Sequence, residues 1–204
     1  DRLSFVLGAA NASANAEFHF LCLPTPARTD GGSDLSYFEE GINEILSVLQ
    51  PNSIVINKST VPLGTAKKLQ EDIARTDVHV VSNPEFLSEG NAIRDFLEPS
   101  RIVIGANSRE HSERVAKLYS KLNAPILMSS WESAELIKHT ANAFLAMKLT
   151  FVNEIATLCE ISGADIKDVT DGIGYDPRIG SDYMSPGPGW GGSCFPKDSA
   201  SLAQ

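Results

Sequence analysis

Residues 131–162 run for 32 positions without a glycine or a proline. Ser129 and Glu132 form a capping box at the front of this run, and Gly163 is a natural residue for the left-handed stop behind it. A single helix over this span is roughly 48 Å long at 1.5 Å per residue, longer than an ordinary domain helix. Leu136, Ile137, Phe144, Leu145, Leu149, Val152, Ile155, Ala156 and Leu158 fall on more than one of its faces, which predicts cover on several sides. A helix of this kind is the spine between two domains, a subunit interface, or both.

Upstream, short β-branched or aromatic runs alternate with helical stretches. The runs are LSFVL (3–7), FHFLCL (18–23), SIVIN (53–57), VHVVS (78–82), RIVIG (101–105) and PILMS (125–129). Helical character lies at 34–49 with Asp34 as N-cap, at 64–75, in a turn or two beginning at Pro84, and at 108–122. Buried strands alternating with helices at this spacing predict an α/β fold with a mostly parallel, doubly wound sheet. Beyond the long helix come a shorter helix at 164–173, a Gly/Pro-rich stretch at 174–192, and the start of a last helix near Cys194.

Composition narrows the chemistry. The 204 residues are 42% hydrophobic, enough for a sizeable core, and the net charge is −9 with no basic run interleaved with aromatics, which argues against a nucleic-acid surface. No apolar run approaches the roughly 20 residues of a membrane span, and residues 1–20 lack a signal-peptide layout, so the expected compartment is the cytoplasm. Cys22, Cys159 and Cys194 are odd in number and widely spaced, which speaks against a disulfide framework and a zinc site; no metal is expected. The four histidines are scattered and read as structural or surface residues.

In an open parallel sheet ligands gather beyond the carboxyl ends of the strands. The segments there are PTP (24–26), KSTVP (58–62) and NPEFLSEG (83–90). With Pro84 as the first helical residue, Glu85 and Glu89 stand at i and i+4 on one face; they either answer the helix dipole or place two carboxylates in a cleft. Lys138 and Asn142 share the same spacing on the long helix, where Lys138 either reaches solvent or supplies a fixed ammonium for an oxyanion, with Asn142 a donor beside it. The most specific stretch is PGPGWGGSCFPKD (186–198). Gly191 and Gly192 clear the approach, Ser193 can cap a helix starting near Cys194, and Cys194 is expected to be either a nucleophilic thiol at a helix N-terminus next to Lys197 or a buried structural cysteine behind a glycine turn. Cys22 and Cys159, in apolar runs, read as buried inert thiols.

GGSCFPKD, preceded in order by STVP, NPEFLSEGNAIRDF, ELIKHTANAFLAMK and YDPRIG, resembles the UDP-glucose/GDP-mannose dehydrogenases. The resemblance runs from about residue 3 to residue 204. It implies the C-terminal half of a Rossmann-type parallel sheet over 1–129, then the long central helix and a helical catalytic and dimerisation region over 130–204. It also implies NAD as cofactor, UDP-glucose as substrate and a homodimer through the long helix. The chemistry it implies is a four-electron oxidation at the sugar C6. Cys194 would attack the aldehyde, the thiohemiacetal would be oxidised to a thioester, and water would hydrolyse it. By the same resemblance Lys138 would stabilise the oxyanions, Asn142 would hold water, Glu85 would serve hydrolysis, Asp198 would support the cysteine and water, and Thr60 would lie at the nicotinamide. Thr25, Pro26, Ser59, Glu89 and Lys197 would complete the cofactor side. Glu85, Phe86, Leu87, Glu89, Lys138, Asn142, Arg178 of a neighbouring subunit, Tyr183, Ser185, Gly187, Gly189, Trp190 and Gly191 would line the sugar-nucleotide side. GDP-mannose or a UDP-N-acetylhexosamine are alternative substrates, a two-electron hydroxyacid-type dehydrogenase would not need Cys194, and a non-catalytic fragment is the third reading. The opening strand, G-x-G-x-x-G turn and helix of such enzymes are expected to be missing here, along with a later nucleotide domain, so the chain is expected to be an internal, inactive fragment.

Overall fold

The computed structural model describes residues 3–202, which divide into two compact units, residues 3–138 and 139–202. In the first unit, β1 (Phe18–Leu21), β2 (Ile54–Asn57), β3 (His79–Ser82), β4 (Ile102–Gly105) and β5 (Ile126–Ser129) form one sheet in sequence order. β1, β2 and β3 are parallel, β4 meets β3 antiparallel through the Ser82 and Gly105 pair, and β5 is parallel to β4. The sheet is therefore mostly parallel, with one reversal between β3 and β4.

The period-2 alternation of the strands sorts their side chains onto two covered faces. Val55 and Val80 join Phe38, Ile42, Leu69, Ile73 and Trp131 on one side, where α2 (Ser36–Ile45) and α3 (Thr65–Ile73) pack. Ile54, Ile56, Val81 and Ile104 join Val115 and Tyr119 on the other, where α5 (Arg109–Leu118) packs. Each fully buried Val or Ile here contributes about 1.5–3 kcal/mol relative to exposure. The helix α6 (Trp131–Ser162) begins in this unit, where the Trp131 indole donates to Val80 O at 2.9 Å. Gly105 lets that start sit close, since a Cβ there would come within 2.5 Å of Ala134 Cβ and 2.6 Å of Ser130 O.

The long helix has the bounds read from the sequence, and Gly163 at φ +78° ends it. Its cap differs: Ser130, not Ser129, accepts from Ser133 N at 3.2 Å, which moves the capping residue one position and leaves Glu132 outside a capping box. Within the second unit Phe144, Met147, Phe151 and Leu158 of the helix are exposed along one stripe. The unit also holds α7 (Ile166–Gly174), capped by the Asp165 side chain on Lys167 N at 2.7 Å, and α8 (Phe195–Leu202). No helix among the described residues is long and apolar enough to cross a membrane.

Several local expectations are corrected. Residues 3–7 form no strand; the short helix α1 (Ala9–Ser13) follows them, and Leu3, Phe5 and Leu7 stay exposed because no described strand pairs with them. No helix begins at Pro84, so Glu85 and Glu89 are not i and i+4 on a helical face; the helix nearby is α4 (Ala92–Leu97). Side chains take the amides that a helix would use, with Glu85 Oε2 accepting from Leu87 N at 2.6 Å and Asp95 Oδ2 from Ser88 N at 2.9 Å. Asp34 acts one residue early, accepting from Ser36 N at 2.9 Å while Leu35 occupies the cap position. Cys159 is buried as read, but Cys22, just past the end of β1, is exposed.

Candidate active site

The first unit gathers polar groups past the ends of β1, β2 and β3. Ser59 stitches the first two loops together, accepting from Leu23 N at 2.9 Å and donating to Leu23 O at 2.7 Å. Thr25 Oγ1 donates to Thr60 O at 2.8 Å beside it. Proline at 24, 26 and 62 restricts the same segments, so these loops hold their shape by covalent geometry as well as hydrogen bonds. A small cleft lies against them, lined by Asn57, Thr60, Ser82, Pro84, Glu135 and Lys138. Ser82 Oγ lines it, is buried, and has no hydrogen-bond partner among the described residues.

Lys138 is a buried cation of this unit. Its ammonium pairs with Glu85 Oε1 at 3.2 Å, with the lysine side chain 5% exposed and the glutamate 32%. The other oxygen of Glu85 is the one bonded to Leu87 N, so the carboxylate is fixed at both ends. Phe86 sits between cations, 5.4 Å from Lys138 Nζ and 3.7 Å from the Arg101 guanidinium, both over its ring. Leu87 and Glu89 are more exposed, on the loop that Gly90 turns at φ +83°.

Residues that sequence reasoning missed support this group. Asn83, buried at the end of β3, donates to Val103 O at 2.8 Å, and its Oδ1 accepts from Lys58 Nζ at 3.3 Å and from the Tyr119 hydroxyl. Burial pushes the Tyr119 phenol up to about 12 and holds the Lys58 ammonium below the usual lysine range, the latter partly offset by Cys22 and Glu85. Glu135, one helical turn before Lys138, is buried and accepts from Gly64 N at 2.7 Å and Ala66 N at 2.8 Å. Its position at i−3 from Lys138 is the signal that could have found it.

In the second unit, Asp198 is the centre. It is 1% exposed and accepts from Asn142 Nδ2 at 2.6 Å and from the Lys197 ammonium at 2.7 Å. A buried carboxylate with a charge partner and a neutral donor is satisfied at both oxygens. Asp198 N donates to Cys194 O at 2.9 Å, the first hydrogen bond of the turn that opens α8. Cys194 is exposed, with Ser193 Oγ 3.6 Å from its sulfur. Lys197 thus spends its charge on Asp198.

The residues before Cys194 are exposed and anchored at few points. Trp190 Nε1 donates to Thr150 Oγ1 at 2.7 Å and Gly187 N to Asn153 Oδ1 at 2.9 Å. Gly189 and Gly192 have φ +111° and +79°, a region that side chains rarely adopt. Tyr183 leans on Phe195 with ring centroids 6.3 Å apart. Ser185 and Gly191 lie along the same exposed stretch. Arg178 is exposed and held by both oxygens of Asp176, the shortest contact being 2.6 Å.

The chain matches the model described as UDP-glucose/GDP-mannose dehydrogenase family, NAD binding domain, over residues 1–123, and the one described as the family's central domain over residues 132–204. It is 46% identical to UDP-glucose 6-dehydrogenase of Rhizobium meliloti, over 100% of this chain and 49% of that protein. It superposes on a UDP-glucose dehydrogenase from the hyperthermophilic archaeon Pyrobaculum islandicum with a TM-score of 0.91 and 39% identity, covering 98% of this chain and 48% of the other. A GDP-mannose dehydrogenase from Pseudomonas aeruginosa gives a TM-score of 0.81 at 35% identity, covering 99% and 49%. The chain spans about half the length of the curated relatives it matches.

Proposed function

We propose that this chain, which belongs to the UDP-glucose/GDP-mannose dehydrogenase family, carries catalytic side chains of a cytoplasmic, NAD-dependent enzyme that oxidises UDP-glucose at C6 to the carboxylate. Cys194 carries this reading: an exposed thiol ends a glycine-rich loop and opens α8, one turn from the buried Asp198. A dehydrogenase that stopped at the aldehyde would have no use for such a nucleophile.

The first unit fits a nicotinamide cofactor in its chemistry. Ser59 and Thr25 lock the strand-end loops into a polar rim, and the buried hydroxyl of Ser82 has no partner among the described residues in the cleft that Thr60 lines. We assign Thr25, Pro26, Ser59, Thr60 and Glu89 to the cofactor side, with Lys197 and Cys194 on the reacting side. NAD⁺, when bound, supplies the hydride acceptor for both oxidations.

The chain's own residues do the rest. The Cys194 thiolate adds to the C6 aldehyde carbonyl, forming a C–S bond and an alkoxide that takes up a proton to give the thiohemiacetal. Loss of a hydride and a proton from that adduct leaves a thioester. Water then adds to the thioester carbonyl, the C–S bond breaks, and the sulfur leaves as thiolate while C6 becomes a carboxylate. Lys138 is assigned to the oxyanions, for which a buried ammonium needs no reorganisation. Asn142 and Asp198 are assigned to holding water and the cysteine segment, and Glu85 to accepting the proton of the hydrolytic water. Phe86, Leu87, Tyr183 and the stretch Ser185, Gly187, Gly189, Trp190 and Gly191 are assigned to the sugar nucleotide. The exposed stripe Phe144, Met147, Phe151 and Leu158 is assigned to a homodimer, in which Arg178 serves the neighbouring subunit.

The test is stoichiometric. Full-length protein is incubated with UDP-glucose and NAD⁺ and NADH is counted per sugar consumed; a ratio near two supports the four-electron reading, and a ratio near one sinks it. Parallel incubations with GDP-mannose and a UDP-N-acetylhexosamine decide the substrate, the first being the second reading that likeness to the GDP-mannose dehydrogenase favours.

A further inference from the structure

Two side chains of α6 meet the glycine-rich stretch, and the bonding of each explains why it can do so. The Thr150 hydroxyl donates to Ala146 O at 3.0 Å, four residues back on its own helix. Its proton is spent there, so the oxygen turns only lone pairs outward, and one accepts the Trp190 indole N–H at 2.7 Å. Asn153 repeats the device one turn on. Its amide NH₂ donates to Leu149 O at 2.9 Å, which fixes the flip of the group and points Oδ1 away, where it accepts Gly187 N at 2.9 Å. The helix thus offers two oriented acceptors, at i and i+3 on one side, to two donors of the loop. The donors lie three residues apart and bracket Gly189, whose φ of +111° leaves the backbone without a side chain to pin it.

We propose that Thr150 and Asn153 are positioning residues of the sugar-nucleotide loop: acceptor posts that fix residues 187–190 in the shape that presents the loop backbone to the nucleotide sugar. This rests on the reading above that the loop holds that substrate. The posts act on binding of one substrate and not of the other, which separates them from a general contribution to stability.

The experiment uses the full-length protein and the variants T150V, T150S, W190F, T150V/W190F, N153L and N153D. Wild-type NADH per UDP-glucose is measured first, and its failure sinks the substrate reading alone. The loop anchor is then read without turnover. Trp131 is buried and 8% exposed and Trp190 is 39% exposed, so the acrylamide-quenched signal that W190F removes reports on Trp190. T150V is expected to increase that quenching and T150S to leave it unchanged. In kinetics, T150V, W190F and N153L each raise the KM for UDP-glucose about five- to tenfold, the range for one net hydrogen bond, with the KM for NAD⁺ within twofold of wild type. T150S, which keeps the acceptor, stays near wild type, N153D, which keeps an acceptor but loses the bond to Leu149 O that orients it, falls between wild type and N153L, and T150V/W190F is no worse than either single change. Equal rises in both KM values, additive losses in the double variant, or a serine as harmful as valine would overturn the assignment. Should a helix variant fail to fold, W190F removes the same hydrogen bond from the exposed side, and its two KM values decide the question in the same way.

Discussion

Glu135 Oε1 accepts a hydrogen bond from Ala66 N at 2.8 Å across 69 residues of sequence, and its second oxygen takes Gly64 N at 2.7 Å. One carboxylate on α6 therefore caps α3, satisfying two of the amide groups that a helix start leaves open. Glu135→Ala strands both amides where Ala66 is 1% exposed, and is expected to cost about 1–3 kcal/mol in urea unfolding. The pH dependence has a definite sign. Burial raises the folded pKa of Glu135 and the two amide bonds only partly offset it. An acid raised on folding contributes stability that is complete below the ordinary glutamate value of about 4.3 and is lost as pH rises through the folded value. Glu135→Gln cannot ionise, so its stability relative to wild type should improve from pH 4 to pH 7. A gap that stays flat over that range would refute this.

Glu85 pairs with the buried Lys138 while its other oxygen is held by Leu87 N. Glu85→Gln keeps an acceptor for the ammonium and a group of the same shape, so the fold should survive with a thermal midpoint within a few degrees. If the carboxylate takes the proton of the hydrolytic water, hydrolysis alone slows. The expected trace is a rapid burst of two NADH per active site followed by a slow steady rate, with a sugar-nucleotide adduct on the protein by mass spectrometry. Slow turnover without a burst or adduct would place Glu85 before the thioester.

Lys197, Asp198 and Asn142 form a coupled set in the second unit. Asp198→Ala leaves the Lys197 ammonium, 8% exposed, without its counter-charge, and loss of one partner of a buried pair costs about 3–5 kcal/mol. In a Lys197→Met background the same change should cost markedly less, because no orphaned charge remains. A double-mutant cycle by chemical denaturation measures the difference. Additivity of the two changes would mean that the ammonium has another partner.

Much of this arrangement could be read from composition and spacing, and the parts that could not share a cause. Strands β2 to β4 were visible because uninterrupted β-branched runs have few other folds open to them, and α6 because nothing within it breaks a helix. Lys138 and Asn142 stood out at i and i+4, whereas Glu135 shares their helix but is explained only by Gly64 and Ala66, 69 to 71 residues away. The helix predicted at Pro84 failed for a related reason. Leu87 N and Ser88 N are claimed by the side chains of Glu85 and Asp95, and a proline start carries no information about such competition. Residues 3–7 have strand composition, but a ladder needs a neighbour, and Phe5 remains 92% exposed. Whether a polar residue is a surface group or a clamp depends on long-range contacts that local pattern does not encode.

Cys194 gives the sharpest prediction. Its sulfur is exposed, its carbonyl opens α8, and the side chain takes no part in the core, so Cys194→Ser should leave folding and sugar-nucleotide affinity within a fewfold of wild type. The chemistry differs. A serine hydroxyl without a base to activate it is a far weaker nucleophile than a thiolate, and an ester is a poorer acyl leaving system than a thioester. Acid formation should fall by roughly three orders of magnitude, the scale of removing a nucleophile, while calorimetry with UDP-glucose still shows binding. Undiminished acid formation would remove the covalent step from the proposal, because the only change made is one atom at the position that has to bond to C6.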